Sequence, residues 1–235
     1  MLICAIDTSG RDGSLAIVEA NRDSFRVLHS APIAGGTYSA QLIPTLRAAL
    51  AEAGKTKGDI GLFAVASGPG SFTGLRVGLS TVKALAEVLR VPVVATSVLE
   101  CLAFTTGVEG LALAALDAQR NELFVGEYEI QSGMAPRTVR EALVPAADFA
   151  QCLKKKDSSK LITYTSDKGV ADCVLEAGAK AVIIQRPSAV EFARLGMLMY
   201  AAGENSDIEQ LDANYIRRSD AEIFSAPKLG IKTGN

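Results

Sequence analysis

Asp7 and Asp117 are the residues whose surroundings could do phosphate chemistry. Each closes a short apolar run, Ala5-Ile6-Asp7-Thr8-Ser9 and Ala115-Leu116-Asp117-Ala118-Gln119, and each leads into a polar turn. A carboxylate at a strand end can hold magnesium beside a phosphate. The phosphate itself would rest on Ser67-Gly68-Pro69-Gly70-Ser71-Phe72-Thr73-Gly74-Leu75-Arg76-Val77-Gly78, where an apolar run at 62–66 ends in glycines and a helical pattern follows. The free N–H groups and positive dipole end of a helix start attract an anion. Gly68, Gly70 and Ser71 stand nearest to that position, with Ser71 or Gly70 placed to cap the helix. The stretch lacks the Gly-Lys-Ser/Thr of a P-loop, and no other general base accompanies the aspartates. Asp at a turn more often caps the hairpin that follows, and that is the stronger reading of both.

Other chemistries fare worse. His29 is the single histidine, without a clustered acidic partner, so neither a zinc site nor a Ser-His-Asp triad can be assembled around it. Cys4, Cys101, Cys152 and Cys173 are scattered with no Cys-x-x-Cys pair, which reads as reduced thiols in a cytoplasmic protein. The apolar start, residues 2–6, is too short for a secretory signal and is interrupted by Asp7. No apolar window is long enough to span a membrane. A net charge of −2 gives no global attraction for nucleic acid. Lys154-Lys155-Lys156 is best read as a solvated helix end. Without tryptophan, the few aromatics form no stacking array.

The elements that must position these residues repeat. At 235 residues, with 49% of them apolar, the chain holds one large domain or two small ones. Residues 1–6, 14–20 and 25–29 read as a three-strand meander, followed by a helical stripe through Leu42, Ile43, Leu46, Ala49, Leu50 and Ala53. Pro44 inside the stripe predicts a kink or a first turn near Leu42. The strand at 62–66, the helix from Phe72 to Leu89, a strand at 91–95 and a short helix at 98–104 complete the first half. After Thr105-Thr106-Gly107 the order begins again: strands at 111–116, 123–130 and 139–144, then helix, strand, helix, strand and helix to residue 202. The order is βββαβα twice, an α/β arrangement of two lobes with mixed sheets, 1–106 and 107–235, facing each other with the Asp7 and Asp117 turns across one cleft. In the tail, Tyr215 reads as a packing anchor, with Arg217 and Arg218 as candidate phosphate or carboxylate binders.

Gly70, Gly74 and Gly78 lie four apart and form one row on their helix. An interior glycine costs about 1 kcal/mol relative to alanine, so something must pack closely on the row. The protein's own sheet and a partner surface are equally compatible with it.

Four segments resemble the bacterial TsaB (YeaZ) family: Ile3-Cys4-Ala5-Ile6-Asp7-Thr8-Ser9, the run from Gly68 to Gly78, Leu116-Asp117-Ala118-Gln119-Arg120-Asn121-Glu122 and Tyr215-Ile216-Arg217. The resemblance implies the ASKHA fold of actin and sugar kinases. It also implies an accessory role in forming threonylcarbamoyladenosine at position 37 of tRNAs that read codons beginning with adenine. The partners implied are a TsaD-type transferase and a TsaE-type ATPase. Transfer RNA is met only through the complex, and ATP or ADP with magnesium belongs to the complex rather than being held tightly by this chain. TsaD-type proteins carry a His-x-x-x-His metal motif that a chain with one histidine cannot supply. The family often has His-Ser-Glu where this chain has Tyr38-Ser39-Ala40, which removes the basis for peptidase activity. The implied docking surface, for the transferase or for a second copy, lies on the two long helices. Leu42, Leu46, Gly74, Leu75, Gly78, Leu79 and Val82 are the expected contacts, and Gly78→Arg is expected to spare the fold while abolishing docking. The alternative is an ASKHA-type ATP-binding phosphotransferase using Asp7 and Asp117.

Overall fold

A computed structural model describes residues 1–21, 24–155 and 161–212. Lys156, Tyr215, Arg217 and Arg218 lie outside the described residues. The first half contains β1 (Leu2–Asp7), β2 (Gly13–Ala20), β3 (Phe25–Ile33), α1 (Tyr38–Glu52), β4 (Ile60–Gly68), α2 (Phe72–Leu89), β5 (Val93–Ser97) and α3 (Val98–Thr105). The second repeats it with β6 (Gly110–Asp117), β7 (Glu122–Ile130), β8 (Arg137–Pro145), α4 (Ala146–Lys155), β9 (Ile162–Thr165), α5 (Lys168–Glu176), β10 (Lys180–Ile183) and α6 (Ala189–Ala201). Each half therefore carries βββαβα followed by a further strand and helix, the elements expected at 91–104 and at 181–202.

The duplication is exact in topology. The first sheet runs β3-β2-β1-β4-β5 and the second β8-β7-β6-β9-β10. In each, the central strand pairs antiparallel with the meander and parallel with the crossover strand, as in Ala5 opposite Ala16 and Ala64, or Ala114 opposite Gly126 and Tyr164. Buried on both faces, β1 and β4 read as continuous apolar runs, as parallel neighbours under two helix layers must. This is the α/β, two-lobed ASKHA arrangement expected from the sequence.

The last helix of each half sits between the lobes. α6 packs on β1, β2, β4 and β5 of the first sheet, α3 reaches β6, β7 and β9 of the second, and the two helices touch. One apolar cluster joins them, with Phe192, Ala193, Leu99 and Leu102 meeting Ala5, Ala64, Ala114 and Tyr128. α1 and α2 cover the outer face of the first sheet, and α4 and α5 that of the second.

α1 starts at Tyr38 and continues through Pro44, so the sequence alternative of a start near Leu42 is corrected. Tyr38 and Leu42 are both buried, and the Thr37 carbonyl accepts from Ala40 and Gln41, which fixes the first turn ahead of the proline. Pro44 itself is exposed. Among the described residues no helix is long and apolar enough to cross a membrane.

Candidate functional site

The two Asp turns do meet across one cleft, of about 1560 Å³. Ser9, Gly10 and the start of α2 form one wall, and Asp117, Arg120, Asp167 and Arg186 the other. Asp7 lies just behind its wall, 2% exposed. Its Oδ1 accepts the Ser9 N–H at 2.8 Å and the Ser9 hydroxyl at 2.6 Å. Burial pushes this carboxyl above the usual range, while the Arg186 cation and the Ser9 bonds pull it back down. Arg186, in the link between β10 and α6, donates from Nη2 to Ser9 Oγ at 3.1 Å. A relay of Arg186, Ser9 and Asp7 thus crosses from one lobe to the other.

Asp117 is exposed and committed to its own turn. Oδ1 accepts the Gln119 N–H at 2.8 Å and Oδ2 accepts from Gln119 Nε2 at 2.7 Å. The Asp117 N–H donates to Asp167 Oδ2 at 2.8 Å. These bonds hold Gln119, Arg120 and Asn121 at φ of 64°, 55° and 60°, left-handed values that non-glycine residues rarely adopt. Capping, the stronger sequence reading, is what this carboxylate does. Among the described residues no three His, Cys, Asp or Glu side chains gather closely enough to hold a metal ion.

Ser71 caps α2 as expected, its Oγ accepting the Gly74 N–H at 3.3 Å. The glycine row, however, faces inward. A Cβ on Gly70 would stand 2.2 Å from the Ser9 carbonyl oxygen, one on Gly74 2.1 Å from that of Thr8, and one on Gly78 2.3 Å from Thr8 Oγ1. Thr8 Oγ1 donates to the Gly74 carbonyl at 2.8 Å and the Ser71 N–H donates to the Ser9 carbonyl at 2.7 Å. The glycines let α2 lie directly on the turn that follows Asp7. Tyr38 completes the lock, donating its hydroxyl to the Gly10 and Arg11 carbonyls at 3.0 and 3.2 Å.

The expected docking contacts need the same correction. Leu42, Leu46, Leu75, Leu79 and Val82 are between 0 and 6% exposed and form the chain's own core over the first sheet, with Gly74 and Gly78 buried beside them. The apolar stripe of a helix faces its own sheet first, because that burial is always available. What α1 and α2 offer to solvent is the opposite side: Ile43, 51% exposed, and Ala48 on α1, with Ala84 and Val88, 77% exposed, on α2.

Arg186 went unnoticed in the sequence, where Gln185-Arg186-Pro187 has no pattern around it. Arg186→Ala leaves a buried carboxylate without its counter-charge, a change that costs roughly 3 kcal/mol in buried pairs. A group whose folded pKa is raised loses stability as pH climbs from its unfolded toward its folded value. Without Arg186 the Asp7 carboxyl rises further, so the deficit of Arg186→Ala against wild type is expected to grow with pH. Urea midpoints at pH 5.5 and 8 check this; an equal deficit at both refutes it.

A family model described as TsaD, tRNA N6-adenosine threonylcarbamoyltransferase, matches residues 32–208. The tRNA threonylcarbamoyladenosine biosynthesis protein TsaB of Bacillus subtilis strain 168 is 30% identical over 228 residues, covering 94% of this chain and 96% of that protein. The protein of the same name from Escherichia coli K12 is 24% identical over 190 residues, covering 78% and 82%. A solved structure described as YeaZ from Pseudomonas aeruginosa superposes with a TM-score of 0.72 at 26% identity, covering 91% of this chain and 99% of that one.

Proposed function

The chain belongs to the TsaB (YeaZ) family, and on that premise we propose that it is a non-catalytic subunit that binds and activates a TsaD-type transferase. Its part in tRNA threonylcarbamoyladenosine biosynthesis follows from the family; the scaffold role is our reading. The observation that carries it is the outer side of α1 and α2, where Ile43 and Val88 remain more than half exposed on the two helices. Large apolar side chains on the outer layer of a folded lobe are what a partner helix buries. The partner is the transferase, and a second copy of this chain uses the same side when the transferase is absent. A TsaE-type ATPase joins the pair, tRNA is met through the assembly, and ATP or ADP with magnesium is held at that level. The setting is the cytoplasm, where the unpaired cysteines stay reduced.

The phosphotransferase alternative is weakened by its own two carboxylates. Asp7 is matched by Ser9 and Arg186, and Asp117 by Gln119. A reconstituted tRNA modification assay tests the proposal. Omitting this chain is expected to abolish threonylcarbamoyladenosine formation, while the isolated chain titrated with ATP and magnesium gives no binding heat. Full modification without the chain, or turnover of ATP by the chain alone, would refute the scaffold reading.

A further inference from the structure

We propose that Glu100 is a proton-operated latch that fastens α3, and through it the first lobe, onto the second sheet. Glu100 lies in the first turn of α3, 9% exposed, in a helix whose other residues from Val98 to Ala103 are apolar and buried. The cap of that helix is Ser97, whose Oγ accepts the Leu99 N–H at 3.2 Å, so Glu100 sits within the first turn without serving as the cap. The groups that face it come mainly from the other half of the chain: Tyr128 from β7, Glu141 from β8 and Glu204 just beyond α6. Tyr128 is completely buried and donates its hydroxyl to Glu141 Oε1 at 2.5 Å, so a buried phenol holds Glu141 in place.

The remaining neighbours add no compensation. β4 and β5 carry no titratable side chain, and the acidic groups of β6 and β9 are limited to Asp117, in its own turn, and the phenol of Tyr164. On α6, Glu191 acts on the adjacent Cys101 thiol, and Arg194 stacks over the Phe25 ring at 4.0 Å. None of the groups acting on Glu100 is a cation. Burial, then Glu141 and Glu204, push its carboxyl up to about 7.

Near neutral pH the latch therefore carries its proton for part of the time. Protonated, Glu100 is a neutral side chain seated between the sheets. Ionised, it is a buried carboxylate facing two others, and release of α3 toward water relieves both the burial and the repulsion. The sign follows from linkage. The docked form binds the proton more tightly than the released form, so docking is firm below the ordinary glutamate range and weakens as pH rises toward and past 7. With a released-state value near 4.3, the docking equilibrium is expected to fall roughly 10-fold between pH 6 and 8.5.

Hydrogen exchange of the α3 amides in the full chain, corrected for the intrinsic rise of exchange with pH, reads this directly. Wild type should lose roughly 10-fold protection across that interval. Glu100→Gln, which keeps the size and shape of the side chain but cannot ionise, should show no such excess. Equal pH dependence in the two proteins overturns the latch. If Glu100→Gln does not fold, Glu141→Gln decides. It keeps an acceptor for Tyr128 but removes a like charge, so the midpoint of protection loss must move to lower pH; an unmoved midpoint overturns the proposal.

Discussion

Gly74→Val is expected to prevent folding, and Gly78→Arg to do the same, before any question of partner binding arises. The Thr8 carbonyl lies 2.1 Å from where a Gly74 Cβ would be, and Thr8 Oγ1 2.3 Å from one on Gly78. Neither α2 nor the turn after β1 can retreat cheaply. α2 is fixed by Leu75, Leu79 and Val82 in the core, and the turn by Tyr38, Ser71 and the Thr8–Gly74 hydrogen bond. At Gly74 the clash is with backbone, and at Gly78 it is with the Thr8 side chain, pinned by its bond to the Gly74 carbonyl. Such overpacking costs roughly 3 kcal/mol or more, a large share of the 5–15 kcal/mol that holds a domain together. The sequence expectation that Gly78→Arg spares the monomer is thereby reversed. Urea midpoints and soluble yield measure it. A Gly78→Arg protein with the wild-type midpoint would mean that the row faces outward after all.

Ile43→Glu combined with Val88→Glu is expected to do what the glycine variant cannot: leave the monomer intact and remove the partner. Both side chains are more than half exposed, so the change costs the isolated chain within about 0.5 kcal/mol, as surface substitutions do. At an interface core, losing two apolar anchors and burying two carboxylates in their place is worth roughly 4 kcal/mol or more, close to a thousandfold in affinity. Co-elution of the purified chain with the TsaD-type protein should be lost and the circular dichroism melt unchanged. Retained co-elution would move the docking surface off this side of the fold.

The contrast between these variants shows what could be read in advance. Period-three and period-four apolar spacing located α2 and its buried stripe, and the Asp turns located the cleft, because both are local consequences of backbone geometry. Which way the glycine row faced was not local. A missing Cβ permits close approach by any backbone, and only the pairing of β1 with β4 brings Thr8 and Ser9 to Gly70 and Gly74. Arg186 and Asp7 are joined by tertiary placement alone, 179 residues apart in numbering if one counts from 7 to 186. Glu100 did carry a signal, a single charge inside Val98-Leu99-Glu100-Cys101-Leu102, a run otherwise apolar. A charge in such a run is costly unless a specific neighbour meets it. His29, unpromising as a ligand, instead ties β3 to α1, its Nδ1 lying 3.1 Å from Glu52.

The placement of α6 has a consequence for the order of synthesis. The inner face of the first sheet, with Ala5, Ala16 and Ala64, is closed by Phe192 and Ala193 from the far end of the chain. At about 5–20 residues per second a ribosome makes the intervening hundred or so residues in roughly 5–20 s. For that interval the emerging first half carries an uncovered apolar sheet, and chaperone demand falls on the N-terminal half of the nascent chain rather than on the finished protein.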